Sequence, residues 1–389
     1  MRNRSLYLSV LAVTVFSLLL SYLKFARCIP GGWISPDVYQ HGCYTDITGL
    51  YEVRRFAVDA WPFGAGGNSL EYPILSGIGI WFLALMTKDG SAGLVEFFHL
   101  NVLAISLVYV VLIYHLYKLD KKNAYLFAFS PAIISALFIN WDIWALTPLL
   151  LAFVLMWRVK YLLSGIALSV SIFLKFFPII YLIPVLLYIL SKNHHRNRFL
   201  TGLTITTLII NLPFMITQFD GWAKFYIFNY ERGVDFGSIW YLISLSGSWI
   251  SGVNWLITPL VGLLLLVSYW RYRKNLLGSL FIASVIFFTL NKVYSPQYVL
   301  WLALVAILYF PKTRTFYALF SLWQAGELLY QFGIWRHLLT VLNQVGGISN
   351  ETYVNASIIR ILTLLALTSY AIFLLENDLV KSGRRETHI

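Results

Sequence analysis

Continuous apolar runs are the feature that most constrains the fold of this chain. A helix that crosses a membrane needs about 20 mostly apolar residues, and such runs recur along the 389 residues. A spanning barrel would alternate apolar and polar residues instead. Of all residues, 59% are hydrophobic and only 12% are charged, which excludes a soluble enzyme and a disordered chain. The sequence therefore predicts an all-α polytopic membrane protein.

We predict twelve spanning helices, several of which extend into their loops. The first resembles a cleaved signal peptide, but its apolar core is long and Lys24 and Arg27 follow it, which favours a retained anchor. A further apolar run, 74–87, is ambiguous. The candidate spans are 6–24, 93–117, 124–140, 142–157, 161–174, 176–191, 199–216, 253–270, 275–290, 299–311, 315–332 and 355–375.

Basic residues decide between the possible topologies. Of the 29 lysines and arginines, 18 fall in seven clusters, and cytoplasmic loops carry such an excess. All seven clusters share one side only if 74–87 lies along the outer surface. Both termini are then cytoplasmic in a multi-pass plasma-membrane protein, and the net charge of +12 needs no nucleic-acid partner. The clusters lie at 2–4, 118–122, 158–160, 192–198, 271–274, 312–314 and 381–385.

Polar sequence is concentrated on the outer face in this topology. The first external loop, 25–92, is the longest, and the loops 217–252 and 333–354 face the same side. Binding or chemistry is therefore expected at the external membrane surface. Both cysteines, Cys28 and Cys43, lie in the first loop, where a disulfide can persist. A bridge and two free thiols both remain open.

Three ionisable residues on this side are the leading candidates for chemistry. A helical pattern begins at Asp46, so this carboxylate is either a catalytic base or an N-cap. Asp142 lies in a turn between two spans and is either functional or satisfied by Asn140 and backbone amides. Lys175 interrupts two apolar runs, where it either snorkels to headgroups or binds a phosphate.

Further polar residues on the outer side are candidate substrate-binding groups. They are Arg54 and Glu71 in the first loop, and Lys292, Tyr294 and Gln297 in the motif 291–298. Weaker candidates are Arg232, Asp235, Arg336 and His337. A carboxylate that faces lysines suits a transferase with a lipid-phosphate donor. The carboxylate accepts the proton of an acceptor hydroxyl, and the cations stabilise the departing phosphate.

Several motifs occur in an order that is typical of a known family. They are Tyr44-Thr-Asp46, Glu71-Tyr72-Pro73, Phe97-Phe98 with Asn101, Asn140-Trp-Asp142, Lys175-Phe-Phe-Pro178 and Asn-Lys-Val-Tyr-Ser-Pro-Gln-Tyr at 291–298. From about residue 40 to 330 the chain resembles glycosyltransferase family 87, the polyprenyl-phosphate-mannose-dependent α-mannosyltransferases of actinobacteria. These enzymes belong to the GT-C superfamily.

The resemblance implies one GT-C domain over residues 1–389, whose first external loop contains helices along the membrane. It implies that Asp46 is the base and that Lys175 and Lys292 contact the donor phosphate. It also implies inverting transfer of mannose to a glycolipid or cell-wall glycan among membrane lipids, with no metal and no cofactor. One departure is that His337 lies in the later external region but in no matching motif.

Two alternatives to this function stay open from the sequence. The donor sugar could be arabinose or another pentose, because the contacts of the sugar hydroxyls are not apparent in the sequence. A lipid-linked-sugar transporter without catalysis is the rival from another class. Transporters typically show internal repeats, and we detect no repeat in this chain.

Overall fold

The described part of the chain is all-helical, without a strand, as the apolar runs predict. The computed structural model describes residues 2–54, 56, 61–64, 70–88, 91–191, 196–247 and 253–386, so Lys192 of one basic cluster lies outside the described residues. Four segments are long and apolar enough to cross a membrane: Leu8–Ala26, Ala92–Leu119, Arg196–Thr217 and Asn350–Leu379. Shorter apolar helices accompany them. The all-α membrane class is confirmed, and the number of twelve spans stays a prediction.

The chain packs as two compact units. Met1–Ile179 and Lys192–Arg232 form the first unit, and Ile180–Ser191 and Gly233–Ile389 form the second. The first unit holds α1 (Arg2–Ala26), α2 (Asp37–Gln40), α3 (Asp46–Val53), α4 (Ile74–Ala84), α5 (Ser91–Leu119), α6 (Lys121–Ala128), α7 (Pro131–Ala136), α8 (Asp142–Trp157), α9 (Tyr161–Leu174), α11 (Arg196–Thr217) and α12 (Phe219–Glu231). The second unit holds α10 (Leu182–Leu190), α13 (Ile239–Leu245), α14 (Val253–Arg271), α15 (Leu276–Leu290), α16 (Val299–Tyr309), α17 (Arg314–Val341) and α18 (Asn350–Glu386).

The apolar run 124–140 forms two short helices, α6 and α7, where the sequence predicts one. Pro131 occupies the first position of α7, where a missing N–H is tolerated. A proline also disfavours a helical conformation at the residue before it, and Ser130 is accordingly extended. The predicted span 176–191 is interrupted in a similar way, because a 3₁₀ turn at Phe177–Tyr181 precedes α10.

Close backbone contact fixes α9 against α11 in the first unit. A Cβ atom on Gly165 would lie 2.2 Å from the carbonyl oxygen of Phe199, and one on Gly202 would lie 2.1 Å from that of Leu162. Small residues allow helices in a membrane to approach closely. These two glycines therefore set the position of α9, whose carboxyl end carries Lys175.

The ambiguous run 74–87 forms α4, a helix of 11 residues. At 1.5 Å per residue such a helix extends about 16 Å, roughly half of a 30 Å hydrocarbon core. It packs on α5, α9 and α11, and Gly79 lies against the ring of Trp144. This length agrees with a helix that does not cross the membrane alone, and the predicted topology stays a prediction.

A fully buried ion pair organises the second unit. The Nε atom of Arg360 on α18 donates to Glu327 on α17 at 2.9 Å, and both side chains are 0% exposed. The same guanidinium donates to the carbonyls of Tyr294 at 2.7 Å and Ser295 at 3.1 Å. Tyr294 in turn donates its hydroxyl to Glu327 at 3.0 Å. One arginine therefore fixes the conformation of the motif 291–298.

We expect Arg360→Met to lower the free energy of unfolding by about 3–5 kcal/mol, because Glu327 would keep a buried charge without its partner. Arg271→Met is the matched control, since Arg271 pairs with Glu376 at an exposed site and its loss should change stability by about 1 kcal/mol or less. Denaturant titration of the purified protein in mixed micelles measures both. Equal losses in the two variants would contradict a special role for the buried pair.

Candidate active site

The predicted first external loop is tied to α1 and to the residues that follow α7. A disulfide joins Cys28, just after α1, to Cys43, just before α3, so the bridge is present rather than two free thiols. The hydroxyl of Thr45 donates to the carbonyl of residue 138 at 2.7 Å, and the N–H of Asp46 donates to the carbonyl of residue 139 at 2.8 Å. The start of α3 is therefore held beside the turn at 140–142.

Two side chains hold the carboxylate of Asp46. The hydroxyl of Tyr44 donates to Oδ1 at 2.8 Å, and the amide of Asn140 donates to Oδ2 at 2.6 Å. The helix cap is supplied by Thr45, whose hydroxyl accepts from the N–H of Ile47 at 3.2 Å. Capping thus does not account for Asp46, and its catalytic role stays a prediction.

The carboxamide of Asn140 connects the polar groups of the site. Its Nδ2 donates to Asp46 and, at 2.6 Å, to the hydroxyl oxygen of Tyr72. Its Oδ1 accepts from the N–H of Trp141 at 2.6 Å and from the ammonium of Lys175 at 3.3 Å. The NH₂ end of the amide faces acceptors and its oxygen faces donors, so the orientation of the Asn140 side chain is defined.

Lys175 lies beside this amide and pairs with Asp142. It follows α9 directly, where a cation suits the carboxyl end of a helix. Its Nζ lies 3.2 Å from Oδ2 of Asp142, whose side chain is fully buried, while 18% of the Lys175 side chain is exposed. The ammonium also lies 5.2 Å from the ring centroid of Tyr72. The predicted residues Asp46, Asp142 and Lys175 therefore meet in one network.

Burial raises the pKa of Asp46 above its ordinary value, and the charge of Asp142 adds to the rise. The hydrogen bond from Tyr44, the charge of Lys175 and the hydrogen bond from Asn140 oppose this rise. Burial of the ionised form is thus the largest influence on this carboxyl group. A base whose pKa is raised towards neutrality is better suited to proton transfer near pH 7.

Tyr72 keeps its phenolic proton and accepts a hydrogen bond in this network. Burial, and secondly the charge of Asp46, raise the pKa of its phenol well above the ordinary value. Its hydroxyl oxygen accepts from Asn140, so its own proton points away from that amide. The ring of Trp141 contacts it edge-on at 5.6 Å. The hydroxyl of Tyr72 therefore lies at the Asn140 amide, and the Lys175 ammonium lies over its ring.

Arg54 and Glu71 form an ion pair with each other. Arg54 directly follows α3, and Glu71 precedes Tyr72 in the segment before α4. Their side chains are 20% and 13% exposed. The pair thus links the end of α3 to the segment before α4. The contact of Arg54 and Glu71 with substrate stays a prediction.

The remaining predicted residues lie in the second unit. The carbonyl of Lys292 accepts from the N–H of Asp235 at 2.8 Å, and its side chain is partly exposed. Tyr294 and Gln297 are buried, and Tyr294 donates to Glu327. These contacts fix the motif within its own unit, and the substrate-binding roles of all three residues stay predictions.

Sequence reasoning did not assign roles to Asn140, Tyr44 and Tyr72, although all three belong to the quoted motifs. The available signal was their position beside acidic residues within those motifs. A further contact explains another motif, since Nε1 of Trp141 donates to the amide of Asn101 at 2.6 Å. Motifs far apart in the sequence therefore form one site.

The chemistry that this arrangement offers is proton acceptance beside the binding of an anion. A carboxylate accepts the proton, and an ammonium with a phenolic O–H attracts a developing negative charge. Within the described ranges, no three histidine, cysteine, aspartate or glutamate side chains are grouped so that they could hold a metal ion.

Comparison with known proteins identifies the family. The model of glycosyltransferase family 87 matches residues 70–296, a range that includes Tyr72, Asn140 and Lys175 and begins after Asp46. The GPI mannosyltransferase 1 of Kluyveromyces lactis is 27% identical over 179 residues, which cover 40% of this chain and 44% of that protein. The GPI mannosyltransferase 1 of Eremothecium gossypii is 28% identical over 176 residues, which cover 39% and 44%.

The matched region spans less than half the length of these curated relatives. The family match is broader, because residues 70–296 make up more than half of the 389 residues. It confirms the resemblance drawn from the order of the motifs. The chain belongs to glycosyltransferase family 87.

Proposed function

We propose that the protein is an inverting mannosyltransferase of the plasma membrane. It transfers mannose from a polyprenyl-phosphate donor to a hydroxyl of a glycolipid or cell-wall glycan. Membership of family 87 supports glycosyl transfer, and the names of the two fungal relatives support mannose as the sugar. The predicted topology belongs to this proposal, because it puts Asp46 and Lys175 on the outer face of the membrane.

The observation that carries the proposal is the position of the Asp46 carboxylate. It is held by two neutral donors, Tyr44 and Asn140, and Lys175 reaches the opposite end of the same amide. A base and a cation held by one group are the two components that transfer from a sugar phosphate requires.

In the proposed reaction, Asp46 accepts the proton of the acceptor hydroxyl while the acceptor oxygen bonds to the anomeric carbon. The bond from that carbon to the phosphate oxygen breaks, and polyprenyl phosphate leaves. Lys175 and the O–H of Tyr72 stabilise the negative charge that grows on the phosphate. Asp142, which is fully buried, positions the lysine. Attack from the side opposite the phosphate inverts a β-linked donor to an α-linked product.

Transfer itself is tested with the purified protein in proteoliposomes. Radiolabelled polyprenyl-phosphate mannose and polyprenyl-phosphate arabinose are supplied in parallel with membrane glycolipids. The proposal requires transfer of mannose. If only arabinose is transferred, the donor sugar is arabinose rather than mannose. If neither donor is consumed, the result favours the transporter alternative.

We expect Asp46→Asn to lower kcat by about 10²–10⁴, because the amide keeps the shape of the side chain but accepts no proton. Asp37→Asn, an exposed acid of the same loop, is the matched control and should keep its turnover. Steady-state transfer rates and thermal stability are measured for both variants. An Asp46→Asn enzyme that retains most of its turnover would refute the assignment of the base.

The acidic limb of the kcat/KM profile should follow the ionisation of Asp46. Only the deprotonated form accepts a proton, so activity falls as the pH drops through the raised pKa of this carboxyl. Tyr44→Phe removes a hydrogen bond that favours the ionised form, so the acidic limb should move to higher pH. A limb that stays in place would exclude Asp46 as the titrating group.

Lys175→Ala should raise the KM for the donor and lower kcat by a factor on the order of 10², because the ammonium faces phosphate in both states. Lys175→Arg should keep part of the activity, since the site needs charge. Lys88→Ala, at an exposed lysine of the first external loop, is the control. Unchanged kinetics in Lys175→Ala would leave Lys292 as the better candidate.

A further inference from the structure

The two oxygens of the Asp46 carboxylate face different surroundings. Oδ2 binds Asn140, which leads to Tyr72 and to the ammonium of Lys175. Oδ1 binds the hydroxyl of Tyr44. The carboxylate therefore lies between a side that carries a cation and a side that begins with a phenol.

A pair of stacked tyrosines forms the second side. The rings of Tyr39 and Tyr44 lie 5.8 Å apart between centroids, with an angle of 16° between their planes. Tyr39 belongs to α2, and Tyr44 follows the disulfide-bonded Cys43. Both tyrosines are partly exposed. Charge on Asp46 raises the pKa of Tyr39 after the larger effect of burial, which agrees with a phenol close to the carboxylate.

This surface suits the ring of a sugar. The face of an aromatic ring is electron-rich and attracts polarised C–H groups, which line the faces of a pyranose. The phenolic hydroxyls at the rim suit its hydroxyl groups. Displacement with inversion also requires the acceptor and the leaving phosphate on opposite sides of the anomeric carbon. With the phosphate at Tyr72 and Lys175, the acceptor approaches from the side of Tyr44 and Tyr39.

We propose that Tyr39 and Tyr44 form the acceptor subsite, on which the sugar ring that carries the attacking hydroxyl stacks. This inference rests on the proposed glycosyl transfer and on the assignment of Lys175 to the donor phosphate. Tyr39 is a binding residue in this arrangement, whereas Tyr44 also positions the base through its hydrogen bond to Asp46.

The test uses Tyr39 rather than Tyr44, because Tyr44 also holds the base through its hydrogen bond to Asp46. Proteoliposomes receive radiolabelled polyprenyl-phosphate mannose and one of two acceptor probes: octyl α-mannoside, which has a sugar ring, or octyl glycerol, which has none. Tyr39→Leu should raise the KM for octyl mannoside about 5–10-fold, the value of one aromatic contact, with the donor KM changed less than twofold. Lys175→Ala should show the opposite pattern.

Further variants separate stacking from a general loss of structure. Tyr39→Trp keeps a flat aromatic ring, so its KM for the acceptor should stay within about twofold of the original value. Tyr39→Leu has no ring and should not retain this KM. Tyr230→Leu removes an exposed tyrosine of α12 and serves as the matched control, with neither KM changed. A rise of both KM values in Tyr39→Leu, or of neither, would overturn the subsite.

The acceptor probes distinguish failure of the subsite from failure of the proposed reaction. Slow release of mannose to water reports use of the donor without any acceptor. If the donor is consumed but octyl mannoside accepts no mannose, or if it is no better than octyl glycerol, the sugar subsite is wrong and the reaction class stands. If the donor is not consumed at all, the proposed function is wrong and the subsite falls with it.

Discussion

The carboxamide of Asn140 is the contact on which the candidate site depends. As an uncharged group it lies between Asp46 and Lys175, so the carboxylate and the ammonium share a partner. Lys175 forms its ion pair with Asp142 instead. A close ion pair to Asp46 would lower the pKa of this carboxyl and weaken it as a base. The carboxylate of Asp142 thus pairs with the lysine, whereas that of Asp46 accepts hydrogen bonds from the uncharged Tyr44 and Asn140.

Much of this site is predictable from residue types and their place in the topology. Asp142 and Lys175 are polar residues at the ends of apolar runs, and Asp46 lies in a loop on the same predicted side. The structure brings the three together. The central role of Asn140 is not predictable in this way, because apolar periodicity does not specify where a side chain in a turn points. Tyr294 illustrates a second limit, since its partners Glu327 and Arg360 follow it by 33 and 66 residues.

The fold shows the same division between local and distant causes. Continuous apolar runs predict an all-helical membrane chain, and most of the described helices follow these runs, with breaks within 124–140 and 176–191. The break between α6 and α7 is predictable from Pro131, because a proline disfavours a helical conformation at the residue directly before it. The contact of Gly165 with α11 is not predictable from the sequence. A glycine that permits close helix packing cannot be distinguished by residue type from a glycine in a flexible turn. The role of Gly165 in packing depends on α11, whose contacting residue Phe199 lies more than 30 residues later in the chain.

The buried pair of Glu327 and Arg360 has a consequence for biogenesis. α17 is 28 residues long, yet it carries one acid and two amides. It is not among the four described segments that are long and apolar enough to cross a membrane. A single charged residue at the centre of a helix disfavours its insertion by about 2.5–3.5 kcal/mol. The counterion of Glu327 is on α18, the helix that follows α17 in the chain. The charge of Glu327 on α17 is therefore compensated only after α18 has been synthesised and has packed against α17.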